Sequence, residues 1–171
     1  MIRIAETKDI EQIMDVAEAA RAFLKACGST QWQNGYPEPN DFLSDIEKKY
    51  LFVYEEAGKI LGIVALVREK GENYDAIFSG DWLNDEPYYS VHRLAVLVRG
   101  KGIARKLLEH VEKVAIENGI RNLKADTAEK NLIMQHLFSS LGYHKCGVIY
   151  LKRTPVDNER IAYQKILQHV T

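Results

Sequence analysis

The sequence predicts a mixed α+β fold, a mixed sheet with helices packed on its faces, in one domain spanning residues 1–171. Three observations predict it. Apolar positions switch between the helical and the strand period in the order β-α-α-β-β-β-α-β-α-β-β. A strong amphipathic helix over residues 101–118 follows directly on a strand rich in β-branched and aromatic residues, Tyr88 to Val98. No internal repeat, low-complexity tract or Pro/Ser-rich linker marks a second domain.

Ile2 to Ala5 reads as a short opening strand. Thr7 is placed to cap the next helix, where Ile10, Ile13, Met14, Ala17 and Ala20 recur at helical spacing, and Cys27-Gly28-Ser29 ends it. Residues 27–38 form a loop rich in Gly, Asn and aromatic residues. Pro39 then stands near the start of a second short helix that ends near Lys49. Leu51 to Tyr54 and Ile60 to Val67 read as two strands joined by a tight turn over residues 55–59. Tyr74 to Phe78 is a weaker strand candidate. In the long helix Ile103, Leu107, Leu108, Val111, Val114 and Ala115 share one face, and Gly119 stops it. Ile120 to Asp126 reads as a strand, Asn131 to Ser140 as a helix, Tyr143 to Leu151 as a strand. The alternation of Ile161, Tyr163, Lys165 and Leu167 makes Arg160 to Leu167 a last strand.

Composition bounds the function. Lys and Arg number 23 against 24 Asp and Glu, a net charge of −1 that gives no support to a nucleic-acid or anionic-membrane partner, although a local basic patch could hide inside it. No apolar run approaches the roughly 20 residues needed to span a bilayer. The N-terminus lacks the basic-then-apolar pattern of a secretion signal. Cys27 and Cys146 are too few and too far apart for a disulfide framework. A cytoplasmic protein is expected.

The sharpest chemical signal is the loop Arg99-Gly100-Lys101-Gly102-Ile103-Ala104 between a strand and the long helix. Glycine at 100 and 102 lets the backbone take positive φ and approach a ligand. The first amides of a helix lack intrahelical acceptors and the dipole adds partial positive charge. The arrangement suits a pyrophosphate, with Arg99, Lys101 and Arg105 adding charge. The bland alternative is a tight turn whose basic residues sit in water. A nucleoside-triphosphate loop needs Ser or Thr after its Gly-Lys, and Gly102 follows Lys101. A dinucleotide fingerprint wants a small residue where Arg105 stands, although Asp126 lies near the spacing of its acidic partner.

Leu94-Ala95-Val96, then this loop, then Leu107-Leu108, resembles the acetyl-CoA signature of the GCN5-related N-acetyltransferase (GNAT) superfamily. Asp126-Thr127-Ala128-Glu129-Lys130-Asn131, Met134-Gln135, Phe138 and Leu141-Gly142-Tyr143 resemble its second motif. Gln31-Trp32-Gln33-Asn34-Gly35-Tyr36-Pro37, Gly80-Asp81-Trp82-Leu83 and Val91-His92-Arg93-Leu94-Ala95-Val96 are similar to a bacterial group within it, as is Arg160-Ile161-Ala162-Tyr163. The resemblance implies a largely antiparallel sheet and an N-acetyltransferase that moves an acetyl group from acetyl-CoA to a primary amine, without a metal. Two departures stand out. Only Leu97-Val98 separate Val96 from Arg99, and Phe138 stands where many members carry a proton-donating tyrosine.

The resemblance further implies that the pantetheine arm lies along Leu94, Ala95 and Val96 like an added strand. A bulge there would aim an amide at the thioester carbonyl. The pyrophosphate would meet the amides of Gly100, Lys101, Gly102, Ile103, Ala104 and Arg105. Asn131 would bind the cofactor or cap its helix, and Phe138 would pack on the cofactor arm. An attacking amine must be neutral, so a proton acceptor is needed. His92 is the first candidate base, two residues before Leu94 and so on its face by strand alternation, with a reference pKa of about 6.5. The alternative is a histidine satisfied within the sheet. Tyr143, Tyr150 and Cys146 are weaker candidates as proton donors.

Trp32 and Tyr36 would lie over the acceptor side, with Trp82, Tyr88 and Tyr89 as further aromatic wall; each is equally readable as core or subunit interface. The partners expected are an amine acceptor, small-molecule or protein, and a second copy of the chain as a homodimer, with no nucleic acid and no membrane. Two other readings stay open: a catalytically weak acyl-CoA-binding or regulatory module on the same fold, and a nucleotide-binding protein using the Gly-rich loop.

Overall fold

A computed structural model describes residues 1–168. Its strands are β1 (Ile2–Ile4), β2 (Leu51–Glu56), β3 (Lys59–Val67), β4 (Tyr88–Val96), β5 (Asn122–Thr127), β6 (His144–Tyr150) and β7 (Glu159–Ile166). The helices are α1 (Ile10–Ala26), α2 (Pro39–Glu47), α3 (Ile103–Glu117) and α4 (Leu132–Ser140). The strands form one sheet in the order β1-β2-β3-β4-β5-β7-β6. β4 and β5 pair in parallel; the pairs β1–β2, β2–β3, β5–β7 and β6–β7 are antiparallel. The element order is the one the periodicities predict.

The described residues gather into two compact units: residues 1–66 with 92–111, and residues 67–91 with 112–168. β4 and α3 each contribute to both.

In the first unit β3 is buried along almost its whole length, which is why its residues are a continuous apolar run rather than an alternating one. Ile13, Val16 and Ala17 of α1, Phe42 of α2, and Leu51, Val53 and Ile63 of the strands are fully buried with Leu107 and Leu108 of α3. Each large side chain so buried contributes about 1.5–3 kcal/mol. The entry to α1 differs from expectation. Thr7 lies inside a 3₁₀ turn, and the cap belongs to Glu6, whose carboxylate and that of Asp9 form a reciprocal capping box. Arg3 clamps this corner, bonding Asp9 at 2.8 and 3.0 Å and Glu55 at 2.7 Å.

In the second unit β7 lies between β5 and β6 and is buried from Arg160 to Gln164, so its predicted alternation fails there. Tyr74 to Phe78 is no strand. Glu72–Tyr74 is a 3₁₀ turn, and Phe78 makes a single bridge to Val148. Tyr74 is held by its side chain instead, its hydroxyl donating to the Asp126 carboxylate at 2.6 Å.

Candidate active site

The loop that ends β4 and opens α3 takes the shape its glycines allow. Gly100 and Gly102 have φ of 76° and 69°, the left-handed region, and a Cβ at either would meet nothing within 4 Å. Their requirement is therefore conformational rather than steric. Leu97 donates to the Leu61 carbonyl at 2.8 Å, so β4 stays tied to β3 until two residues before Arg99. The short Leu97-Val98 connection accordingly leaves the strand directly. The first α3 bond from beyond the helix runs from the Lys106 amide to the Gly102 carbonyl at 3.1 Å, which makes Gly102 the residue from which the helix starts. Ile103 is buried and anchors that first turn. The Arg99 guanidinium stacks over the Phe23 ring of α1, and burial lowers it from its ordinary value.

The second half of β4 carries a break that alternation does not anticipate. Arg93 has φ of 52°, inside a strand. For a residue with a Cβ this costs about 1–2 kcal/mol. His92 and Leu94 flank the break, so the rule that two residues apart means one face does not apply to them. The half-buried His92 imidazole is pushed down to about 3, by desolvation first and by the positive charge of Arg93 second. It is neutral at physiological pH, and a weak proton acceptor.

Arg93 itself is bound at three points. Its Nε and one terminal nitrogen donate to the two oxygens of Asp45 on α2, at 2.6 and 2.8 Å. The other terminal nitrogen donates to the Tyr36 hydroxyl at 2.7 Å. Asp45 is buried, 5% exposed. Burial pushes its carboxyl up while Arg93 pulls it down; burial opposes the charge on Arg93, but Tyr36 and Asp45 outweigh it and hold the guanidinium up. Tyr36 thus has its hydroxyl committed to Arg93. Trp32, at φ 65°, meets Tyr36 edge-on with centroids 6.3 Å apart. Arg21 of α1 holds the same loop by donating to the carbonyls of Trp32 and Pro37 at 3.0 and 3.1 Å.

In the second unit Asn131 caps α4, its side-chain oxygen accepting from the Met134 amide at 3.2 Å. Phe138 is only 3% exposed and its ring packs on Tyr143 and Tyr163 at 5.2 and 5.1 Å, a core position that leaves no open face for a cofactor arm. Tyr143 is buried and its hydroxyl is raised well above its ordinary value by burial first. The Cys146 thiol is raised by burial too and donates to the His144 carbonyl at 3.3 Å. Neither makes a ready acid. Tyr150 is half exposed and meets Phe78 edge-on. Asp126, near the spacing of a dinucleotide acid, is bound to Tyr74 and raised by burial. Trp82 and Tyr88 lie over the Lys124 ammonium at 4.1 and 4.0 Å, and burial lowers that lysine to about 8.

Arg93, Asp45 and Lys124 are the groups that sequence reasoning missed. A charged residue amid the apolar and aromatic Tyr88–Val96 strand is a signal in itself, since it must find a partner when buried. Among the described residues no group of three or more His, Cys, Asp or Glu is placed to hold a metal, and no helix is long and apolar enough to cross a membrane.

The sequence model of the acetyltransferase (GNAT) family matches residues 11–143. A GNAT-family acetyltransferase from Streptococcus agalactiae 2603 has a similar structure, at 38% identity and a TM-score of 0.88, covering 99% of this chain and 96% of its own. A Staphylococcus aureus Mu50 protein described as an acetyltransferase is 31% identical, with a TM-score of 0.75 and 98% and 99% of the two chains covered. The PaiA N-acetyltransferase of Thermoplasma acidophilum, solved in complex with coenzyme A, shares the fold at 15% identity, with a TM-score of 0.73 and coverage of 97% and 98%. Among curated proteins no relative matches.

Proposed function

Because the chain belongs to the acetyltransferase (GNAT) family, we propose that it transfers the acetyl group of acetyl-CoA to a primary amine, small-molecule or protein-borne. The observation that carries this reading is the loop at the start of α3, with Gly100 and Gly102 both left-handed and open space about them. Such a turn lets the backbone approach a pyrophosphate at the start of a helix, and Arg99, Lys101 and Arg105 supply positive charge for it. β4 pairs with β5 only over Tyr88–Ser90 against Asn122–Lys124. Leu94, Ala95 and Val96 lie past that register, in keeping with a pantetheine arm laid along them.

In the reaction the amine lone pair forms a C–N bond to the thioester carbonyl, the C–S bond breaks, and the CoA thiolate departs with that bond's electron pair and takes a proton from water. A backbone amide beyond the Arg93 break would donate to the developing oxyanion. A neutral His92 would accept a hydrogen bond from the amine and align its lone pair. Only the deprotonated fraction of the acceptor reacts, and the proton shed on C–N bond formation leaves through water. On this reading the chain acts in the cytoplasm.

Thermal shift tests the cofactor. Acetyl-CoA at about 100 times its dissociation constant should stabilise the protein by about 2.7 kcal/mol; a shift with NADH or ATP and none with acetyl-CoA would overturn the reading. CoA release across an amine panel then tests turnover. The low His92 value and the buried Tyr143 and Cys146 favour one second reading, an acyl-CoA-binding module of weak activity. Tight binding without release over the whole panel would establish it.

A further inference from the structure

Arg93 is, among the described residues, the non-glycine residue that takes a left-handed φ within a strand. Backbone strain of that kind persists only where surrounding structure holds it. Here the holding groups are visible. One edge of the guanidinium fork is filled by both oxygens of Asp45 on α2, and a third donor goes to Tyr36 in the loop before α2. A lysine could not fill these three positions, because it lacks the planar fork.

From this geometry we infer that Arg93 is a positioning residue for acyl transfer: clamped by Asp45 and Tyr36, it fixes the break in β4 and ties the Trp32–Tyr36 loop to that break. The inference rests on the acetyltransferase reading, since it concerns how the backbone after residue 93 is presented to a thioester and how the loop is presented to the amine. Both placements come from one side chain. Loosening it displaces the strand and the loop together, while the Gly-rich loop at the start of α3 keeps its own supports at Leu61 and Phe23.

The experiment compares Arg93→Ala, Arg93→Lys, Arg93→Gly and Asp45→Asn with the parent protein, using acetyl-CoA and an amine panel containing tyramine, spermine and an alanyl peptide. Misplacement by about an ångström costs up to roughly 100-fold, so kcat should fall roughly 10- to 100-fold in Arg93→Ala with the acetyl-CoA dissociation constant within about two-fold. Glycine accepts the left-handed backbone, so Arg93→Gly should retain more activity than Arg93→Ala, and added guanidinium should restore part of it. Arg93→Lys should not rescue. Amide hydrogen exchange supplies a readout independent of turnover: residues 27–38 should exchange faster in Arg93→Gly while α3 does not. A folded Arg93→Ala with kcat within about two-fold of the parent, or unchanged exchange in residues 27–38, overturns the inference. Failure of the parent protein itself to bind acetyl-CoA overturns the function instead, and the exchange comparison still decides the clamp.

Discussion

Gly62 of β3 and Ile103 of α3 approach so closely that a Cβ on the glycine would stand 2.7 Å from the isoleucine Cγ2. It would also stand 2.9 Å from Leu107 Cδ1 and 3.4 Å from the Ala95 carbonyl oxygen. Glycine at this point sets the distance between the strand and the first turn of the helix. Gly62→Ala should cost about 1–3 kcal/mol by overpacking, and Gly62→Val more. Either shifts the helix start, so acetyl-CoA affinity should fall alongside stability. Urea unfolding and a binding titration check the pair; lost stability with intact affinity would separate the helix start from the cofactor.

Gly102→Val acts on the same loop from the other side. Its Cβ meets open space, so the penalty is the left-handed backbone, about 1–2 kcal/mol. A β-branched residue that relaxes out of this region turns an amide away from the pyrophosphate. A charge-assisted hydrogen bond is worth about 1.5–3 kcal/mol, so affinity should drop roughly 10- to 100-fold. Calorimetric titration with CoA on the folded variant measures it.

The pH dependence of stability follows from His92. The native imidazole, at about 3, stays neutral where an unfolded one, near 6.5, takes up a proton. Its contribution is therefore complete above about 6.5 and is lost as pH falls toward 3, at up to about 1.4 kcal/mol per pH unit. Between about pH 7 and pH 5 the parent protein should lose more stability than His92→Gln, by urea unfolding at both. The acylation rate should show no limb near 6.5 from this residue and should climb as the acceptor amine deprotonates. An acid limb near 6.5 that vanishes in His92→Gln would restore the histidine as a base of ordinary strength.

Phe138→Ala removes a core ring from between Tyr143 and Tyr163, and large-to-small changes of this kind cost about 3–5 kcal/mol. Near-parental acetyl-CoA affinity should accompany that loss. A fall in affinity far greater than the fall in stability would return Phe138 to the cofactor.

What was legible in the sequence is what is local. Helical and strand periods gave the order of elements, and Gly100 and Gly102 beside an amphipathic helix marked the loop. The Arg93–Asp45 pair spans 48 residues of sequence, and no window contains both partners. The break at Arg93 was hidden because alternation assumes a regular strand. Tyr74 to Phe78 reads as a weak strand in the sequence, whereas a hydroxyl bond to Asp126, 52 residues away, and the Trp82 indole donating to the Tyr74 carbonyl give Tyr74 its place. Thr7 misled because capping preference ranks residue types, and Glu6 with Asp9 won by acting as a pair.

The division of the chain into two units distributes its two tryptophans one to each, Trp32 to the first and Trp82 to the second. Their emission can be separated with Trp32→Phe and Trp82→Phe. Trp82 lies against the Lys124 ammonium, which gives up its charge near pH 8. A charge beside an indole shifts its emission band, so the second unit carries its own optical reporter of lysine ionisation. Trp32, pinned by Arg21 and edge-on to Tyr36, reports instead on the loop of the first. Two spectra from an unlabelled protein thereby distinguish events that a melting curve would merge.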